Sequence, residues 1–228
     1  MDTVSVLIKP ASGRCNLRCK YCFYEDVSGL RSEQDLGLMT EETLEELVRQ
    51  AMELADRRVS FAFQGGEPML RGLAFYEKFM ELEKKYQKPG VLAEHSIQTN
   101  GTLIDEAWAV FFRENRFLVG ISLDGTRSLH DMNRVDVKGK GTWAAVERAL
   151  RLLEKKQVEY NILCVITGAA ARRGQAIYQS LTGLGCRYLQ FIACLDPMEE
   201  ERGQRPFSLT PERYGTFLKT VFDLWYRD

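Results

Sequence analysis

VSVLIKPASGRCNLRCKYCFYED (residues 4–26) begins as a short apolar run rich in β-branched residues and turns at once into a polar loop with three cysteines. Strand first, then a loop of polar chemistry: that order recurs along the chain. "VSFAF" (59–63) runs into "QGGEP" (64–68), "HSIQT" (95–99) into "QTNG" (98–101), and "FLVGISL" (117–123) into "SLDG" (122–125). Two further runs, "VEYNILCVI" (158–166) and "RYLQFIA" (187–193), bring the strands to six, and the last leads into "CLDP" (194–197). Short, nearly continuous apolar runs suit strands of a buried parallel sheet. In parallel barrels the loops at the carboxyl ends of the strands converge on one mouth, where active sites gather. Singly, the motifs are weak. Asn100–Gly101 and Asp124–Gly125 are ordinary turn dipeptides, and Gly65–Gly66 reads as a turn that needs positive φ. Five of them following five strands is the informative fact.

Helical periods fill the gaps. "MTEETLEELVRQAMELA" (39–55) has Thr40 as N-cap, Glu41 and Glu42 against the dipole, and Leu44, Leu47, Val48, Ala51 and Leu54 on one face. Further helices are predicted over 73–86, 105–115 with Asp105 as cap, 142–156 and 173–183. The chain closes on a helix at about 211–227, capped by Thr210 with Pro211 at its first position. Its stripe is Tyr214, Phe217, Leu218, Val221, Phe222 and Trp225, expected to be partly bare. Six βα units imply right-handed crossovers and a sheet curling toward a barrel. Six strands are too few for the closed eight-stranded form. The expected fold class is therefore α/β, a partial (β/α)6 TIM-like barrel, with residues 1–228 as one domain. The charged stretch 196–211 reads as a solvated connection.

Composition narrows the function. With 31 basic and 32 acidic residues among 228, charge nearly cancels, which argues against nucleic acid or an anionic membrane as partner. No apolar run reaches a membrane span, and the start lacks the features of a secretory leader, so a cytoplasmic protein is expected. Disulfides are then not expected among the six cysteines. Cys164 and Cys194, in or beside apolar strands, read as core residues; Cys186 carries no usable signal. His95 reads as a core residue within a strand, and His130 as part of a loop after the fourth strand.

Cys15, Cys19 and Cys22 are different. Structural zinc wants four ligands, and no other cysteine or histidine is near in sequence. A reactive disulfide needs only two thiols. Three thiolates fit a [4Fe–4S] cluster with one iron left open for another molecule.

Cys15-xxx-Cys19-xx-Cys22 with Tyr21 before the last cysteine, followed by "QGGEP", resembles the signature of radical S-adenosylmethionine enzymes. "LIKPAS", "FAFQGGEP", "QTNGTLIDE", "FLVGISLDG", "EYNILCVIT" and "LQFIACLDP" resemble, more closely, the anaerobic sulfatase-maturating enzymes. The resemblance implies that Cys15, Cys19 and Cys22 hold the [4Fe–4S] cluster and that S-adenosyl-L-methionine binds its free iron. Tyr21, Gly66, Ser122, Arg134 and Leu195 would contact that cofactor. Tyr24, Gln64 and Gln98 would line the peptide site. The implied reaction is reductive cleavage to a 5′-deoxyadenosyl radical, which takes a hydrogen from Cβ of a cysteine or serine. Loss of a second electron and a proton, with hydrolysis for cysteine, then gives Cα-formylglycine.

The implied partners are a sulfatase polypeptide with a Cys/Ser-x-Pro-x-Arg motif and an electron donor such as ferredoxin or flavodoxin. Family members continue into a cysteine-rich SPASM extension that supplies two further clusters and the proposed base. The final helix would lead into it, so no catalytic base is expected within 1–228. Cofactor binding is expected in this chain without the extension, whereas complete formylglycine formation lacks an electron exit and a base. Three other readings compete: a radical enzyme that cross-links another peptide, an iron–sulfur electron-transfer scaffold, and a zinc module.

Overall fold

The computed structural model describes all 228 residues. In chain order the elements are β1 (Thr3–Ile8), α1 (Phe23–Gly29), α2 (Glu41–Leu54), β2 (Arg58–Phe63), α3 (Leu73–Tyr86), β3 (Leu92–Thr99), α4 (Glu106–Glu114) and β4 (Leu118–Ser122). Then follow α5 (Arg127–Asn133), α6 (Trp143–Lys155), β5 (Tyr160–Ile166), α7 (Gly174–Gly183), β6 (Leu189–Ala193) and α8 (Pro211–Trp225). The strands lie in one sheet in chain order. β1 pairs with β2, β2 with β3 and β5 with β6, all parallel. All six expected strands are present.

Two short helices were not legible in the sequence. α1 starts directly after Cys22 and has no side-chain cap. α5 exists because the Thr126 hydroxyl accepts the Leu129 N–H, which closes a seven-residue helix. His130 therefore sits in a helix, not in the loop expected for it, and is fully buried.

Residues Met1–Cys15, Glu33–Gly120 and Ala149–Tyr160 form one compact unit. In β2 every second residue faces inward: Val59, Phe61 and Phe63 are buried, with Ser60 and Ala62 half-buried on the other face. The buried face meets an aromatic cluster. Phe63 lies 5.0 Å from the rings of both Tyr76 and Phe79, and Tyr76 lies 5.2 Å from Trp108. Edge-to-face pairs of this kind add ~0.5–1.5 kcal/mol each beyond their area. His95 is the expected core residue: its Nδ1 lies 3.2 Å from the Asn115 carbonyl, its Nε2 meets Glu83, and its ring stacks on Phe117. On α2 the Thr40 cap is in place, and Leu44, Val48, Ala51 and Met52 are buried. Leu54, expected on that face, is 52% exposed; the neighbouring Met52 and Ala55 are buried in its stead.

Residues Asn16–Ser32, Ile121–Arg148 and Asn161–Asp228 form the second unit. Here Cys164, Cys186 and Cys194 are all buried. α8 begins as predicted, with Thr210 capping and Pro211 in the first turn. Phe217 and Val221 are buried, whereas Leu218, Phe222 and Trp225 are exposed, so the stripe is indeed partly bare. Tyr214 donates to the Phe191 carbonyl at 2.7 Å, tying α8 to β6. The stretch expected as a solvated connection is exposed over 198–206 and is tied down near its end. Gly168 N–H donates to the Phe207 carbonyl at 3.1 Å, and Gly203 N–H to Asp196 at 2.9 Å.

Phe63→Ala removes the hub of the aromatic cluster and should cost about 3–5 kcal/mol. Equilibrium denaturant unfolding measures it; a loss below about 1 kcal/mol would contradict this packing.

Candidate active site

The three cysteines of the loop after β1 are in no disulfide and are half-buried, and the loop is held at the backbone along its length. Glu67 N–H donates to the Arg14 carbonyl, next to Cys15, at 2.8 Å. That approach requires Gly66. Its φ is +54°, and a Cβ there would lie 2.1 Å from the Arg14 oxygen. Further along, Arg18 and Lys20 N–H donate to the carbonyls of Val135 and Asn133 at 2.7 and 3.0 Å, and Leu17 forms an antiparallel bridge with Asp136. Cys22 N–H turns back to the Cys19 carbonyl at 3.1 Å. The side chains form no ready-made ion cage of three or more His, Cys, Asp or Glu. The donor set nevertheless suits iron–sulfur ligation: soft thiols, closely spaced in the sequence.

Glu67, fully buried, is the hub of the "QGGEP" turn. Its Oε1 accepts from Met69 N–H at 3.0 Å and from the Thr99 hydroxyl at 2.7 Å; its Oε2 accepts from Asn100 N–H at 2.8 Å. Burial pushes its carboxyl up to about 7, and these three donors pull it back only in part. The carboxyl thereby clamps the end of β2 to the end of β3.

A second network involves Tyr21. Its hydroxyl donates to Asp124 Oδ2, while Val165 N–H donates to Asp124 Oδ1 at 3.1 Å. Burial, above all, raises the Tyr21 phenol well past its ordinary value, so it stays protonated and remains a donor. Arg134, itself buried, stands over the Tyr21 ring at 5.5 Å. Its Nε lies 3.1 Å from Asp124 Oδ2, yet no acceptor is aligned for a hydrogen bond with it. His130 completes the set. Its Nδ1 accepts Asp124 N–H at 3.3 Å, its Nε2 lies 3.0 Å from Thr142 Oγ1, and that hydroxyl donates to the Arg134 carbonyl at 3.0 Å. Only the neutral Nε2–H tautomer satisfies all three bonds. Burial agrees, lowering the imidazole to about 4.

The structure thus joins Tyr21 with Arg134, and Gly66 with the cysteine loop. The other expected residues sit at or near the ends of the strands or in α1. Ser122 ends β4 and is half-buried, Leu195 just beyond β6 is 65% exposed, and Gln64 and Gln98 are half-buried at the ends of β2 and β3. Tyr24 is in α1 with its ring 4.2 Å from Phe23. Sequence reasoning passed over Glu67, Asn100, Asp124 and Thr142. For the first three the available signal was an acidic or amide residue inside a post-strand motif, where a turn accounts for the glycine but not for the side chain beside it; Thr142, just before α6, carried none.

Glu67→Gln tests the clamp. An NH₂ at the Oε2 position would face the Asn100 N–H, costing ~1–3 kcal/mol. In the wild type the folded chain holds the Glu67 proton between about pH 4.5 and 7 while the unfolded chain loses it, so stability falls as pH rises through that window. The variant lacks that slope. The wild-type advantage in denaturant unfolding should therefore shrink from pH 5 to pH 8; a constant gap would contradict the assignment.

The model of the radical SAM superfamily matches residues 10–170. A cysteine-type anaerobic sulfatase-maturating enzyme of Clostridium perfringens (strain 13 / Type A) is 50% identical over the whole of this chain, which spans 62% of that relative. A serine-type anaerobic sulfatase-maturating enzyme of Klebsiella aerogenes is 38% identical over 96% of this chain and 53% of its own length. A solved structure, native anSMEcpe with bound AdoMet and Kp18Cys peptide, superposes with a TM-score of 0.93 at 49% identity, over 99% of this chain and 61% of that one. The chain therefore spans less than two thirds of the length of these relatives. The expected fold class, α/β of the radical SAM partial-barrel type, is borne out by this superposition. The chain belongs to the radical SAM superfamily.

Proposed function

We propose that this chain is the S-adenosylmethionine-cleaving part of an anaerobic sulfatase-maturating enzyme, which converts a cysteine or serine of a sulfatase to Cα-formylglycine. The observation that carries the reading is the cysteine loop: three closely spaced cysteines outside any disulfide, on a backbone fixed at Arg14, Arg18 and Lys20. Cys15, Cys19 and Cys22 would hold a [4Fe–4S] cluster. When bound, the cluster and S-adenosyl-L-methionine supply, on one-electron reduction, a 5′-deoxyadenosyl radical and methionine.

The chain's own groups do the holding. Gly66 is half-buried on a turn without a side chain, and its backbone is suited to the amino group of an amino-acid cofactor. Tyr21 offers a ring fixed by Asp124 for the cofactor's adenine, with Leu195 as a second apolar surface. Arg134 brings a fixed cation, and Ser122 a hydroxyl, for the ribose and carboxylate. Tyr24, Gln64 and Gln98 would line the peptide. The identity of 50% to a cysteine-type relative against 38% to a serine-type one favours cysteine in a Cys-x-Pro-x-Arg motif. A cytoplasmic enzyme fed by ferredoxin or flavodoxin fits this chemistry. No helix is long and apolar enough to cross a membrane.

The test uses protein reconstituted anaerobically with iron and sulfide, reduced with dithionite and given S-adenosylmethionine and a Cys-x-Pro-x-Arg peptide. 5′-Deoxyadenosine should appear and should vanish in Cys15→Ala, Cys19→Ala and Cys22→Ala, whereas the peptide mass of formylglycine also needs the electron exit and base that the family's extension supplies. Deoxyadenosine with unchanged peptide is the result expected of the cleaving part by itself. None at all, from cluster-loaded protein, would overturn it.

A further inference from the structure

Asn100 looks like half of an ordinary Asn-Gly turn, but its contacts exceed what a turn needs. The left-handed position belongs to Gly101, at φ +75°. Asn100 Oδ1 accepts both the N–H and the hydroxyl of Thr102, at 3.0 and 2.7 Å. An aspartate would serve that turn equally well. Its backbone N–H is fixed on Glu67 at 2.8 Å. With Oδ1 taken by two donors, the amide can face only one way, and its NH₂ end points at Cys15 Sγ, 3.8 Å away. Asn100 is 8% exposed, which limits competition from water for this contact.

We infer that Asn100 is a positioning residue that donates an N–H to the Cys15 sulfur and so raises the reduction potential of the cluster held there. The inference rests on the iron–sulfur reading of the cysteine loop. A one-electron reduction adds negative charge to the cluster and its thiolates, and an N–H dipole aimed at a ligand sulfur stabilises that charge. A neutral amide does this without a second cation. The residue that aims it is held at its backbone N–H by the Glu67 clamp, so the turn after β3 and the turn after β2 act on one sulfur.

The test is a redox titration of the reconstituted cluster followed by electron paramagnetic resonance, with dithionite as reductant. Asn100→Asp keeps the Thr102 bonds and replaces the donor with an anionic oxygen. At the wild-type midpoint its ratio of reduced to oxidised cluster should fall about tenfold, equivalent to ~59 mV for one electron. Asn100→Ala removes the donor without adding charge and should shift the same way by less. Should Asn100→Asp fail to load, Asn100→Ala decides alone. A wild-type midpoint in both variants, or lowered iron content with an unmoved midpoint, would overturn the inference and leave the cluster reading intact. Wild-type protein that takes up no cluster would overturn both.

Discussion

The approach of Gly66 to the Arg14 carbonyl is the constraint on which the site depends. The turn after β2 must run so close to the cysteine loop that a Cβ would sit 2.1 Å from an oxygen, and it does so at φ +54°. Both conditions exclude a side chain. What the glycine permits is a 2.8 Å hydrogen bond from Glu67 N–H to the residue before Cys15. The same turn then delivers the Glu67 carboxyl to the end of β3. One backbone position thereby fixes the cysteine loop and the Thr99–Asn100 turn.

Magnitudes show how demanding this is. Hydrogen bonds to a charged group contribute ~1.5–3 kcal/mol each. Glu67 receives three from its neighbours, yet burial still drives its carboxyl up to about 7, so desolvation wins. In the other unit, Asp124 and Arg134 are both buried, and a buried pair is costly to break, at about 3–5 kcal/mol when one partner is removed. The Asp124 carboxylate also accepts from Tyr21 and Val165, whereas Arg134 Nε keeps no aligned acceptor. Neither network is an economical way to stabilise a fold. Each fixes the direction of groups beside the cysteine loop, which is what binding a cofactor with its own hard chemistry asks of a protein.

The fold was legible because the signals were local. Strands β1 to β6 announced themselves as short apolar runs, and Thr40, Asp105 and Thr210 marked helix starts that the structure caps as expected. The cysteine spacing and the post-strand motifs located the site. Long-range pairing stayed hidden. Glu67 meets Asn100 across 33 residues and Tyr21 meets Asp124 across 103, and no window of sequence carries that information. His130 was misplaced for a related reason: α5 is seven residues long, too short for a periodicity to show. Leu54 failed at a helix end, where the packed face stops being defined by the helix's own period.

The most direct measurement is the iron and sulfide content of Gly66→Ala after anaerobic reconstitution, beside its far-ultraviolet circular dichroism. The account predicts a folded chain that loses most of its cluster, because the added methyl pushes the turn off Arg14 and releases the cysteine loop. A Gly66→Ala protein that loads a full cluster would contradict it.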